Sequence, residues 1–364
     1  MRVKKRNMIF VSIFLLLFLC MVVLIHHLRT ENQKLKDEAN FFQQLFHAQA
    51  STAQADLTQA AENGVLRNGR LKVTDGLLTN SEGQPLQLRG MSSHSVARSP
   101  EYTSYSAIRT TKDYGANLFR AAMYSDHAPD GYDSAETNSG FDKAILFTAI
   151  ENARAADMYV IASWHLMEDQ NPLMQTDSAI RFFDELSSLY ADEPGIIYEI
   201  CNEPNGETTW EDIKTYAGKI IPVIRANAPQ AVIIVGTPQY SSDLRPAMEQ
   251  PLSYDNILYA YHYHSGQSHY GFQEVLDAAK EKGLPVFVSE WGISKDEATG
   301  LLETDAALAF TSYMKENSLS WANRSLCNKD EDYSAIRPDV KKLSGWSTED
   351  LTETGKIVFK ALGG

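Results

Sequence analysis

Two glutamates in this 364-residue chain stand at the ends of apolar, strand-like runs. Glu203 lies in Tyr198-Glu199-Ile200-Cys201-Asn202-Glu203-Pro204-Asn205, and Glu290 in Val286-Phe287-Val288-Ser289-Glu290-Trp291-Gly292. A charged group there is costly unless it has a task or a partner. A pair of carboxyls suits cleavage of a glycosidic bond. One, protonated, hands its proton to the leaving oxygen; the other, ionised, attacks or stabilises the anomeric carbon, while aromatic rings hold the sugar faces. Further runs also end on large polar groups: His94, Arg120, His165, Asn202, the triplet His262-Tyr263-His264, and Arg324. Any one of these alone reads as a satisfied structural residue. Gathered at one end of one sheet, they would make a pocket of titratable groups.

The elements that must position them can be marked from pattern. Residues 71–79, with the turn Asp75-Gly76, read as an opening hairpin. Eight strand-like runs follow, at 86–91, 117–123, 158–164, 195–201, 231–236, 257–262, 285–289 and 318–326. Amphipathic helical stretches fall between most of them, among them 141–156, 177–190, 209–226 and 273–282. Eightfold strand–helix alternation predicts an α/β protein with a (β/α)8 TIM barrel, whose reacting groups sit at the C-terminal ends of the strands. Glu203 and Glu290 then belong to the fourth and seventh barrel strands. A doubly wound open sheet would show a glycine-rich phosphate turn, and neither G-x-G-x-x-G nor a P-loop occurs.

The N-terminal part has another texture. Residues 1–7 form a basic flank, and residues 8–25 are an uncharged run of eighteen. As a helix that run spans about 27 Å, close to the ~30 Å of a bilayer core. No small-residue cleavage site follows it closely, and Leu17-Phe18-Leu19-Cys20 lacks the small residue that a lipidation site needs before its cysteine. With Arg2, Lys4, Lys5 and Arg6 ahead of the run, a single-pass signal anchor with a cytoplasmic N-terminus and an extracellular body is expected. Residues 26–64 then read as a helical stalk or linker ending at Asn63-Gly64, and residues 65–364 as the barrel domain. The net charge is −14, and because the first thirty residues carry five basic groups and no acid, the rest carries −19. That body offers no basic stripe for nucleic acid. Three cysteines exclude a disulfide-stapled miniprotein and a structural zinc cluster. Cys201 and Cys327 would face an oxidising compartment, so a disulfide between them is conceivable, though Cys201 reads better as a small buried residue.

From about residue 83 onward the chain resembles glycoside hydrolase family 5, in particular its bacterial endo-β-1,4-glucanase (cellulase) branch. The stretches that carry the resemblance are Leu88-Arg89-Gly90-Met91-Ser92-Ser93-His94, Phe119-Arg120-Ala121-Ala122-Met123-Tyr124, Trp164-His165, Asn202-Glu203-Pro204-Asn205-Gly206, Ile233-Ile234-Val235-Gly236-Thr237 and Val288-Ser289-Glu290-Trp291-Gly292. The resemblance implies a retaining double displacement on a β-glucan, with Glu203 as general acid/base, Glu290 as nucleophile and a carboxyl separation of about 5–5.5 Å. It also implies that Arg120 keeps Glu290 ionised, that Asn202 bonds the sugar 2-hydroxyl, and that His165 and His262 orient the acid/base and the sugar. His94, Tyr124, Lys329 and Glu331 would line the glycone side, and Tyr240 would be an aromatic platform on the leaving-group side. No cofactor or metal is implied.

Three positions depart from that pattern. The third place of the family's His-x-Tyr is His264, and Tyr263 cannot substitute, because adjacent strand residues face opposite ways. The family's second tryptophan at the end of the eighth strand is Arg324, in Trp321-Ala322-Asn323-Arg324-Ser325. Arg98 stands where a glycone-side aromatic is expected. All three put a basic group where the resemblance implies a neutral aromatic, which suggests a subsite retuned for an unusual or charged glycan. The leading expectation is a membrane-anchored extracellular endo-β-1,4-glucanase, acting on β-glucan that is modified or made by the cell itself, with a polysaccharide synthase or export machinery as a further partner. A second is a glycan-binding pseudoenzyme that hydrolyses weakly or not at all because of His264 and Arg324. A third, His262-x-His264 as a metal site, lacks further ligands placed with it.

Overall fold

The computed structural model describes residues 62–125, 131–132, 139–166, 169–266, 271–296 and 298–363. The chain divides into two units, residues 1–55 and 56–364, and the fold below is that of the second. The expected anchor at 8–25 and the expected stalk up to residue 61 lie outside the described residues. No helix among the described residues is long and apolar enough to cross a membrane.

Strands β1 (Lys72–Thr74) and β2 (Leu77–Thr79) pair antiparallel across the expected turn. Asp75 and Gly76 both take positive φ, 51° and 76°, as a two-residue hairpin turn with the strands' own twist requires. Eight parallel strands then close a barrel in chain order: β3 (Arg89–Ser93), β4 (Leu118–Tyr124), β5 (Tyr159–His165), β6 (Ile196–Glu199), β7 (Val232–Val235), β8 (Ile257–His264), β9 (Val286–Gly292) and β10 (Trp321–Leu326), which returns to β3. Helices connect them on the outside, among them Ser139–Ala155, Thr176–Leu189, Trp210–Asn227, Phe272–Glu281 and Thr304–Glu316. All eight expected strands form, with shifted ends. β3 begins at Arg89 rather than 86, because Leu86 N–H is taken by Leu78 of the hairpin at 3.0 Å. β6 stops at Glu199, so Asn202 and Glu203 sit in the loop after it. β8 and β9 run on to His264 and Gly292.

Strand alternation sorts the side chains into two cores. Leu118, Tyr159, Ile161, Ile197, Ile234, Leu258 and Phe287 fill the barrel interior together with Leu71 and Leu78 of the hairpin. Their neighbours, such as Phe119, Val160, Tyr198 and Tyr263, join the larger core between strands and helices. By the same alternation Arg120 shares the inner face with Leu118, and Glu199 with Ile197. Simple alternation fails for Glu290, because it would carry the parity of the outward Val288. The register resolves this. Across β8 and β9, Ala260 pairs with Phe287 and His262 with Glu290; across β9 and β10, Trp321 pairs with Val288 and Asn323 with Trp291. Both neighbours advance two residues while β9 advances three, so β9 carries a bulge whose extra residue turns Glu290 inward beside Ser289.

Gly90 sits where β3 and β4 approach most closely: a Cβ there would lie 2.0 Å from the Leu118 carbonyl oxygen. Backbone cannot yield as a side-chain tip can. Gly90→Ala is therefore expected to destabilise the barrel by at least about 3 kcal/mol. A chemical denaturation curve reads this, and an unchanged midpoint would show that β3 and β4 are not held at this spacing.

Candidate active site

At the C-terminal end of the barrel interior Arg120 reaches five acceptors. Its Nε donates to Glu199 Oε2 at 2.8 Å, Nη1 to Glu290 Oε2 at 2.9 Å and Ser92 Oγ at 3.3 Å, and Nη2 to Ser163 Oγ at 3.4 Å and Asn202 Oδ1. Arg120, Glu199 and Glu290 have no solvent exposure. A guanidinium's planar fork is suited to carboxylates on two sides. The other oxygen of Glu290 is also held: Arg324 Nη1 donates to Oε1 at 2.9 Å. His264 Nε2 lies 3.6 Å from the same oxygen, an ion-pair distance. Arg120, Arg324, Glu199 and Glu290 thus form a quartet of two cations and two anions. Burial alone would push the Glu290 carboxyl up, but Arg324, His264 and Arg120 outweigh it and hold the group well below the ordinary carboxylate range.

Glu203 is placed differently. It keeps 18% of its side-chain exposure, and its Oε1 lies 2.8 Å from His262 Nδ1. His262 Nε2 is 2.9 Å from Ser289 Oγ, so both ring nitrogens are engaged and neither is left for a metal. One ligand-type atom each of Glu203, His264 and Glu290 lies within 4.8 Å of the others. Two guanidinium groups already on Glu290 oppose a cation there. Oxygen to oxygen, Glu203 and Glu290 thus approach within 4.8 Å.

A left-handed turn props up the Glu203 loop. Gln239, Tyr240 and Ser241 have φ of 56°, 58° and 56°, a conformation costing roughly 1–2 kcal/mol per residue. Hydrogen bonds offset it: Ser241 Oγ donates to Asn202 O at 2.6 Å and Tyr240 N to Pro204 O at 3.0 Å. The turn leaves Tyr240 56% exposed, with its backbone bonded to Pro204 next to Glu203. Asn202 is oriented by its neighbours. Its Oδ1 accepts from Arg120, so Nδ2 faces His165 Nε2 at 3.2 Å and donates to it. Burial holds His165 well below the ordinary imidazole range, so it is neutral, with its proton on Nδ1.

The residues expected on the glycone side form a second group. His94 Nε2 pairs with Glu331 Oε2 at 3.1 Å. Burial first, and Arg324 next, push the His94 imidazole down to about 4 despite Glu331. Tyr124 packs on His165 with ring centroids 4.9 Å apart, and the Arg98 guanidinium lies 4.4 Å over the Tyr124 ring. Arg324 lies 5.9 Å over Tyr333, which meets His264 edge-on at 5.2 Å. Tyr263 points away, against Phe272 and Phe310, and does not take the place of His264. Cys201 and Cys327 are buried free thiols, so the conceivable disulfide is not formed.

The structure brings together Glu203, Glu290, Arg120, Asn202, His165, His262, His264 and Arg324. Sequence reasoning missed Glu199, Ser289 and Tyr333. Glu199 was legible, as an acid two residues from inward-facing Ile197 in an apolar strand. Ser289 and Tyr333 carried no signal, because their roles come from the bulge and from a loop after β10.

The cellulase (glycosyl hydrolase family 5) family model matches residues 79–330. An endoglucanase of Clostridium saccharobutylicum is 38% identical over 298 residues, 81% of this chain and 65% of that protein. Endoglucanase A of Butyrivibrio fibrisolvens is 41% identical over 290 residues, 79% of this chain and 67% of that protein. The chain thus spans about two thirds of the length of these curated relatives. Among solved structures, the catalytic domain of Thermobifida fusca endoglucanase Cel5A, a variant in complex with cellotetraose, superposes with a TM-score of 0.75 at 30% identity, covering 82% of this chain and 98% of that one.

Arg120→Met would leave two buried carboxylates without their shared cation, at an expected cost of about 3–5 kcal/mol near neutral pH. Glu290's folded pKa is depressed, so its contribution is present above the ordinary carboxylate range and is lost as pH falls through the lower folded value. The stability gap between wild type and variant should therefore narrow in acid. Denaturation curves across that range test it, and a gap constant with pH would assign the loss to packing instead.

Proposed function

The chain belongs to the cellulase family, glycosyl hydrolase family 5, and from that membership we propose that it is a retaining endo-β-1,4-glucanase, tethered outside the cell and acting on β-glucan. The observation that carries the reading is the approach of Glu203 to Glu290 within 4.8 Å, with Arg120 on the second and His262 on the first.

In the first step the Glu203 carboxyl gives its proton to the glycosidic oxygen while the Glu290 carboxylate attacks the anomeric carbon from the opposite face. The bond to the leaving sugar breaks and a glycosyl ester forms on Glu290. In the second step Glu203, now a carboxylate, takes a proton from water whose oxygen attacks the same carbon. The ester breaks, the sugar leaves with its configuration retained, and Glu203 is protonated again. Arg120 fixes one Glu290 oxygen throughout. The second N–H of Asn202 Nδ2, beyond the one given to His165, is free to meet the sugar 2-hydroxyl, a contact that strengthens in the oxocarbenium-like transition state.

The apolar run at 8–25 and the basic flank ahead of it support a single-pass anchor with the barrel outside, and a stalk at 26–64 would hold the cleft up to about 50 Å from the bilayer. Such a tether suits trimming of a polymer that the cell itself exports, beside its synthase. A second reading, a glycan-binding pseudoenzyme, is favoured by one observation: Arg324 sits on the nucleophile's outer oxygen.

Reducing ends should be released from cello-oligosaccharides with retained anomeric configuration, read by NMR. Glu290→Ala should abolish release. Glu203→Ala should slow it by about 10²–10⁴-fold, with much of the first step restored on an aryl cellobioside whose leaving group needs no proton. Tight binding without products in the wild type would sink the hydrolase reading in favour of the pseudoenzyme.

A further inference from the structure

Arg324 is built differently from Arg120. Arg120 reaches five acceptors, whereas Arg324 spends one N–H, on Glu290. Its Nε is buried with no hydrogen-bond partner among the described residues, and its side chain keeps 22% exposure. A guanidinium carries five N–H donors, so most of this one is unspent. Lys329 is half-buried on the same side of the cleft, and its side chain makes no hydrogen bond or ion pair among the described residues; Arg324 and Lys329 both bear on His94. The acids nearby are committed, Glu331 to His94 and Glu290 to Arg120. In a chain of net charge −14, Arg324 and Lys329 both act on His94 beside the acid Glu331, and Arg98 is stacked over Tyr124. Moreover, when Glu290 becomes an ester in the first step its charge passes to Glu203, so Arg324 loses its hydrogen-bonded partner while the sugar is in place and keeps only the weaker attraction of Glu203. Stripping one partner from a largely buried pair is costly unless another anion arrives.

We propose that Arg324 receives an acidic substituent on the sugar at the cleavage point, so that the preferred substrate is an acid-bearing β-glucan rather than a neutral one. The proposal rests on the reading of this cleft as a β-glucan site with Glu290 as nucleophile. The acidic group, a carboxylate or a phosphate ester, takes the unspent N–H groups of Arg324 and draws the guanidinium off the attacking oxygen, with Lys329 adding positive potential behind it. Glu290 holds Arg324 in the free protein as a stand-in for that group.

The test uses the full chain with three ligands: cellotetraose, its C6-oxidised form bearing carboxylates, and its C6-phosphorylated form. Binding is measured by calorimetry and cleavage as kcat/KM. Wild type should favour an acidic ligand at least about tenfold in both, the scale of one charge-assisted hydrogen bond. Preference for one acid over the other identifies the substituent. Arg324→Gln should erase the preference, with an unchanged circular dichroism spectrum and melting transition showing that the fold is intact, and Arg324→Trp should turn it toward the neutral ligand. Glu290→Gln, which removes the charge of Arg324's present partner, should tighten acidic ligands more than cellotetraose, read by calorimetry. Equal handling of all three ligands by wild type, unaltered by Arg324→Gln, overturns the proposal while the hydrolase reading stands; that is also the outcome if Arg324 transfers to the deprotonated Glu203. Tight, Arg324-dependent binding of acidic ligands with no cleavage of any supports the assigned ligand and overturns the hydrolase reading.

Discussion

Arg120 has no exposure to water and satisfies its charge wholly inside the barrel, with Glu199 on one side and Glu290 on the other. A buried ion pair gains little net stability, because desolvation consumes most of the Coulomb attraction; losing one member is what costs. This sets the terms for the whole mouth. The carboxylate that must attack is locked in position by a group that cannot be withdrawn cheaply, and Asn202 is oriented by the same guanidinium. Through Asn202 the constraint passes to His165, whose tautomer follows from which face of the carboxamide it meets.

Around that centre the backbone makes two departures from regularity, and each aims one carboxyl. The bulge in β9 turns Glu290 into the barrel and lets Ser289 meet His262. The left-handed turn at 239–241 pins the segment carrying Glu203 through Asn202 O and Pro204 O. Local strain of this kind persists where surrounding hydrogen bonds over-determine it. The result is two carboxyls of opposite character: Glu290 sealed and paired with cations, Glu203 partly open and touching an imidazole. A double displacement needs that asymmetry, since one group must stay charged and the other must carry and return a proton.

Arg324 brings a tension into this arrangement. A cation on the nucleophile stabilises its ionised form and at the same time occupies an oxygen that would attack. In the free protein the charges of Arg120, Arg324, Glu199 and Glu290 cancel; forming the ester moves one negative charge off this quartet and onto Glu203. The total charge of the cleft is thus unchanged while its position shifts, and Arg324 is left to turn toward Glu203 or toward a group that the sugar brings.

Much of this was legible in the chain. Eight apolar runs with helices between them specified a parallel barrel, because side-chain period and the spacing of elements are local properties. The residue types at strand ends named both carboxyls, Arg120, Asn202 and the two histidines, and the family resemblance named the three basic departures. Strand ends were misjudged by a few residues at β3, β6, β8 and β9, since Leu86 and the residues past 262 and 289 find partners on other elements. Tertiary structure alone decided three things: that Glu290 faces inward, that Glu199 shares Arg120, and that Arg324 chooses the nucleophile over the acid. Arg120 and Glu290 are 170 positions apart, and Arg324 and Glu290 are 34 apart. No local period encodes which of two acids a guanidinium will meet. That is settled where closure of the barrel brings β4, β9 and β10 together and leaves no water to compete.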